Sequence, residues 1–265
     1  MDGPAVSADE LAEYAKRPLS PPDAVALAAI EAGPIEAKEA LPRTEIDRML
    51  EPAPLPTETG WCERLDDGSA FVAVRTPMPG LDAAMVDWWF DWHPHDGARY
   101  RAWHPLAHQD NRVDQPRIPG AKPFWGTVHH PVEDVGTGMR RVRIEFKPPS
   151  ELGFSTDCLD LPAVGTVVCG FAGDEALRVA HTVMAHVFLE ADDGLVLRSA
   201  FWLGARIRPY APAPLPALFA PLLDLPAVRR RAMPSGVAPA LARHCAEEYA
   251  NLAELLPELY RRFGP

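Results

Sequence analysis

Several things are scarce in this chain of 265 residues, and each scarcity excludes something. There are four cysteines (Cys62, Cys158, Cys169 and Cys245), widely spaced and without a CxxC pair. This argues against a disulfide framework or a thiolate metal knuckle and fits reduced, intracellular thiols. Basic residues number 26 against 37 acidic ones, for a formal net charge of −11. Nucleic-acid binding that tracks phosphates needs the opposite balance. The one basic cluster, VRRRAM at 228–233, is short and set among prolines, so it reads as a solvated turn or helix end. No apolar run approaches the roughly 20 residues that cross a bilayer. The N-terminus, MDGPAVSADELAEYAKRP, is polar and acidic, unlike a signal peptide. A soluble cytoplasmic protein is expected, with no nucleic-acid or membrane partner.

Hydrophobic residues make up 47% of the chain, enough for a sizeable core and against general disorder. Thirty prolines punctuate the rest. Up to about Leu50 lie short helical patterns, with Ser7 and Pro22 as expected helix starts. EPAPLPTETG (51–60) reads as a linker, which separates a helical segment, 1–55, from a larger domain, 56–265. Beyond it, period-two patterns take over. Strands are predicted at 69–76, 124–135 and 139–147, then in GTVVCGFA, LRVAHTVMAHVFLEAD and GLVLRSAFWLGARIR. The last two are joined by DDG, a hairpin signal. A short helix is predicted over 81–93. A proline-rich stretch (209–226) precedes a long helix from about Pro239 to Arg262. Helices, then a largely antiparallel sheet, then a terminal helix make the class α+β. A curved sheet wrapped on that helix leaves room for a small ligand.

Four segments carry polar residues suited to chemistry. On the terminal helix, His244 and Glu248 are four apart and share a face. By itself that pair is weak evidence for half a metal site, and a solvated helical face accounts for it more readily. The segment DWWFDWHPHDGARYRAWHPLAHQDN (87–111) holds four of the nine histidines and four tryptophans. Aromatic density suits a core, but each buried imidazole there needs a partner. In VHHPVEDVG, His129 and Glu133 are predicted on one strand face and His130 on the other. Were that face inward, Glu133 would be a buried carboxylate needing a counter-charge or a metal. In AHTVMAHVFLE, His186 shares a face with Met184 and Phe188, as a core histidine or a pocket one.

Taken in order, WWFDWH, RYRAWHPLAHQDN, HHPVEDVGTGMRRVRIEF, MAHVF and HCAEEYANLAELLPELY resemble the 2,4-diacetylphloroglucinol hydrolase family, which includes phloretin hydrolase-like enzymes. The likeness covers about residues 60–265. It implies a helix-grip (Bet v 1-like) fold, with an N-terminal helical part that aids homodimer formation. The implied activity is zinc-dependent hydrolysis of the bond between an acyl group and a phenolic ring, on a small aromatic ketone. It implies a zinc ion (Zn²⁺) held by His108, Glu133, His244 and Glu248. Tyr100 and Asn111 match residues that hydrogen-bond the substrate's phenolic hydroxyls, and His186 matches a pocket histidine suited to proton transfer. His104 is expected to join the substrate-binding residues by donating a hydrogen bond into the site. Where the family carries a second phenol-binding tyrosine, this chain has Phe201, which bears on substrate preference. Two other functions suit the same pattern: a non-catalytic helix-grip module for a hydrophobic ligand, and a metal-free polyketide cyclase or dehydratase using His186.

Overall fold

The computed structural model describes residues 8–114, 118, 121–210, 220–223 and 225–265. The helix start expected at Ser7 and most of the proline-rich stretch lie outside the described residues. The chain opens with helices α1 (Ala8–Ala15) and α2 (Ala24–Glu31). Asp23, not Pro22, caps α2: its carboxylate accepts from the Val25 and Ala26 amides, satisfying donors that have no partner in the first turn. Two 3₁₀ segments follow (Ala37–Glu39 and Arg43–Leu50). Next come β1 (Gly60–Cys62), β2 (Ala70–Pro79), α3 (Ala83–Trp92) and α4 (Gly97–Trp103). Asp82 and Asp96 cap these two helices through Met85 and Ala98.

Short strands β3 (His108–Asp110), β4 (Val113–Asp114), β5 (Val128–His129) and β6 (Val132–Glu133) precede the longer β7 (Arg140–Phe146). Of the single strand expected over 124–135, only Val128–His129 and Val132–Glu133 are strand, separated at Pro131, which has no amide to donate to a ladder, while 124–126 form a turn. β5 pairs with β4 and β7, whereas β6 pairs with β3 and β7. The sheet is completed by β8 (Val164–Asp174), β9 (Val179–Ala191) and β10 (Gly194–Pro209). Gly194 turns the β9–β10 hairpin at φ +147°, and a Cβ there would press on the Gly80 amide and the Met78 carbonyl. Two short helices, α5 (Ala220–Leu223) and α6 (Pro226–Ala232), lead into α7 (Val237–Phe263).

The sheet order is β1-β2-β10-β9-β8-β7-β5-β4, antiparallel at each pairing. It grips α7, which makes the fold the α+β helix-grip arrangement. Both faces of the sheet are buried, which is why its central strands read as almost unbroken apolar runs. Val72, Met184, Phe188 and Phe201 face inward with Tyr249, Leu252 and Leu256 of α7. Phe71, Val183, Val187 and Trp202 face outward, covered by Leu41, Ile46, Met49 and Leu50 of the N-terminal segment. Trp202 Nε1 donates to the Leu41 carbonyl at 2.7 Å. The N-terminal segment also meets the terminal helix, where Arg17 pairs with Glu258 at 2.7 Å and Tyr14 donates to the same carboxylate.

Candidate metal centre

Two residue pairs, each created by a different regularity, meet at one point. His108 and Glu133 are direct cross-strand partners in the β3–β6 ladder. His244 and Glu248 are one turn apart on α7. The helix pair is brought to the strand pair by α4: Trp103 Nε1 donates to the Glu248 carbonyl at 2.8 Å, and Asn251 Nδ2 donates to the Trp103 carbonyl at 2.7 Å. These two buried hydrogen bonds fix the end of α4, and so the loop leading to His108, against α7. Asn251 lies on the same helical face as His244 and Glu248, so its position alone is a signal that it serves the site.

One atom each from His108, His244 and Glu248 lies within 4.8 Å of the others. His108 Nε2 is 3.6 Å from Glu248 Oε2, and His244 Nε2 is 3.7 Å from the same oxygen. Glu133 Oε2 joins at 3.8 Å from His108 Nε2. Ligands at about 2.0–2.1 Å around a tetrahedral ion sit roughly 3.3–3.4 Å apart, so this cluster is slightly wider than a filled site. His108 Nδ1 donates to the Tyr100 carbonyl at 3.2 Å, which leaves Nε2 with a lone pair. That Nε2 is buried and has no hydrogen-bond partner. A lone pair aimed into a cluster of oxygen and nitrogen ligands is what a metal site needs and a packed core avoids.

Electrostatics point the same way. Burial raises the Glu248 carboxyl well above its usual range, and the neighbouring Glu133 charge adds to this. Burial also raises Glu133, opposed by the hydrogen bond from Tyr100. Burial depresses His108 strongly, helped by His244 and His104, and His244 falls to about 3. Two carboxyls and two imidazoles thus crowd together with every shift favouring the neutral form. A divalent cation would reverse the carboxyl shifts by supplying the missing positive charge.

The surroundings hold the remaining candidates. Tyr100 stacks on His108 with ring centres 3.9 Å apart, and its hydroxyl donates to Glu133. His104 is buried, stacks on His244 at 5.2 Å and lies 3.6 Å from Glu247. Asn111 is buried after β3, and its Oδ1 accepts from the His130 amide at 3.2 Å. The neighbouring histidines divide as expected: His129 packs inward on Phe146 at 4.5 Å, while His130 sits between Glu175 and Asp114, 2.9 Å from each. His186 and Phe201 form a second wall on the concave face, their rings 5.4 Å apart, with Tyr249 of α7 against His186 at 5.0 Å. His93, not singled out by sequence, stacks on Tyr100 and meets His129 edge-on. Its place after WWFDW could be read only as core. A cavity of about 340 Å³ lined by Pro54, Glu58, Arg75 and Arg198 lies on the opposite sheet face, away from all these groups.

Comparison with known proteins finds relatives of the whole chain. Residues 41–261 match the family model described as the DAPG hydrolase PhiG domain. Phloretin hydrolase from Eubacterium ramulus is 29% identical over 261 residues, covering 94% of this chain and 88% of that protein. The 2,4-diacetylphloroglucinol hydrolase of Pseudomonas protegens is 31% identical over 244 residues, covering 89% and 78%. Among solved structures, Ara h 8.0201 superposes with a TM-score of 0.34 at 12% identity, covering 67% of this chain and 97% of that one.

Proposed function

This chain belongs to the DAPG hydrolase family, and on that premise we propose that it hydrolyses the carbon–carbon bond between an acyl group and a phenolic ring, releasing a carboxylic acid. The carrying observation is the meeting of the His108–Glu133 strand pair with the His244–Glu248 helix pair around an unpartnered, buried imidazole nitrogen. The donor set of imidazoles and carboxylates suits zinc, held by His108, His244 and Glu248 with Glu133 completing the set. Bound there, zinc supplies Lewis acidity towards a water and towards the acyl carbonyl oxygen.

The chain's own groups do the rest. Tyr100, raised well above its ordinary range chiefly by burial, remains a phenol at neutral pH. Its proton goes to Glu133, so its oxygen accepts from a phenolic hydroxyl of the substrate, and the Asn111 amide holds another phenolic oxygen. His186 faces the ring from the opposite wall and serves proton transfer. Water oxygen bonds to the acyl carbon, the bond to the ring breaks, and the ring carbon takes the electron pair and a proton. The apolar wall of Phe201, Met184 and Phe146 excludes bulk water and packs the ring. The proposal extends to a homodimer in the cytoplasm, and light scattering checks the former. Among the described residues no helix is long and apolar enough to cross a membrane.

The test is to load the purified chain with zinc, add an acylphloroglucinol, and follow free acid and deacylated phenol by chromatography. Stoichiometric release of both is expected. A folded, zinc-loaded protein that binds the ketone without cleaving it would make the chain a binding module instead. His186→Ala is expected to keep its zinc and lose turnover on the order of 10²–10⁴-fold.

A further inference from the structure

His186 and Ser199 are direct cross-strand partners on β9 and β10, both pointing to the concave face. His186 Nδ1 lies 2.8 Å from Ser199 Oγ, with both side chains buried. Two buried side chains from neighbouring strands thus form a pair in which Ser199 backs His186.

The pair has a direction. A hydroxyl has one proton to donate, and the imidazole lone pair beside it is a strong acceptor. Were Nδ1–H to donate instead, the buried hydroxyl proton would be left to find another acceptor. The arrangement that satisfies both groups through this one contact runs Oγ–H to Nδ1. With Nδ1 accepting, the neutral ring carries its proton on Nε2, the nitrogen not engaged by Ser199.

We propose that Ser199 is a positioning residue that holds His186 as the neutral Nε2–H tautomer, so that His186 acts as a hydrogen-bond donor to a substrate oxygen that gains negative charge. This rests on the reading of His186 as a participant in the reaction and changes its role there from proton transfer to hydrogen-bond donation. A positively charged His186 is disfavoured in this enclosure of Phe201 and Tyr249 rings, where burial brings its pKa down to about 3. A neutral imidazole with a fixed tautomer is a workable electrophile, since an N–H aimed at developing charge in a dry site strengthens as the charge appears. The opposite order, Nδ1–H to Oγ, would present a lone pair at Nε2 and make His186 a base.

The ring nitrogens of His186 in the zinc-loaded protein can be read by ¹⁵N NMR. Protonated Nε2 and unprotonated Nδ1 are expected at neutral pH; the reverse tautomer, or an imidazolium, overturns the proposal. In kinetics, Ser199→Ala is expected to lower kcat on the order of 10–10³-fold with KM little changed, as loss of a donor or of a tautomer does. Ser199→Thr, which keeps the hydroxyl, is expected to restore most of it. Wild-type kcat in Ser199→Ala, with His186→Ala inactive, overturns this proposal alone. Wild-type kcat in both variants overturns the earlier reading of His186 as well. The NMR measurement on the unmodified chain keeps the test decisive if Ser199→Ala fails to fold.

Discussion

Replacing Glu248 by glutamine tests the metal centre from both sides of its electrostatics. The substitution keeps the shape and removes the charge that faces His108 at 3.6 Å and His244 at 3.7 Å. In the metal-free protein, burial holds this carboxyl far above its ordinary 4.5. A carboxyl raised on folding binds its proton more tightly in the native state than in the unfolded one. Stability is therefore lost as pH rises from about 4.5 towards the raised value. Metal-free Glu248→Gln escapes that loss and is expected to be at least as stable as the metal-free wild type near pH 8. Zinc inverts the ranking. At free zinc a hundredfold above its dissociation constant, the wild type gains about 2.7 kcal/mol. For a chain of this size that raises Tm by roughly 5–10 °C. Glu248→Gln, with a ligand lost, is expected to show little of this rise. Because burial favours the protonated form of the carboxyl ligands, zinc binding also releases protons from them, which calorimetry in two buffers of different ionisation enthalpy counts. Differential scanning calorimetry with and without chelator, beside zinc content by mass spectrometry, is the assay. Stoichiometric zinc and an undiminished Tm rise in Glu248→Gln would refute the assignment of this carboxylate as a ligand.

Three further outcomes are expected. Phe201→Tyr adds a hydroxyl beside His186, and the ratio of kcat/KM for polyhydroxylated over less hydroxylated acylphenols should rise by roughly tenfold; an unchanged ratio means that residue 201 does not contact the substrate. Arg198→Met leaves Glu58 and the Met49 and Ala53 carbonyls without their buried partner, which costs about 3–5 kcal/mol in urea unfolding; a loss under about 1 kcal/mol would show that the linker is not held through this arginine. Arg17 and Tyr14 lower Glu258 from 4.5 to about 2, so its contribution is present above 4.5 and lost as pH falls towards 2. Its side chain is 38% exposed, which keeps the effect within about 1 kcal/mol; Glu258→Gln should flatten acid unfolding in that window, and superimposable curves would contradict the pairing.

Periodicity reveals those parts of this protein that depend on neighbours along the chain. The i,i+4 spacing places His244 and Glu248 on one helical face whatever surrounds it. The alternation of Met184, His186 and Phe188 puts them on one strand face. The order of helices, strands and terminal helix specifies α+β, and the quoted motifs suffice to identify the family. Other features had no local cause to read. Strand 124–135 looks continuous by alternation, yet Pro131 splits it, and only the split lets β6 place Glu133 opposite His108. The N-terminal segment looks like an appendage, but the outer face of the sheet is as apolar as the inner one and needs its cover. Which side of the helix pair is buried, that Trp103 and Asn251 bring it to His108, and that Ser199 reaches His186 all depend on contacts between residues tens to hundreds of positions apart. Pattern along a chain determines which faces are apolar and which polar groups share them. Only packing decides which face meets which, because burial and the pairing of polar groups are satisfied together or not at all.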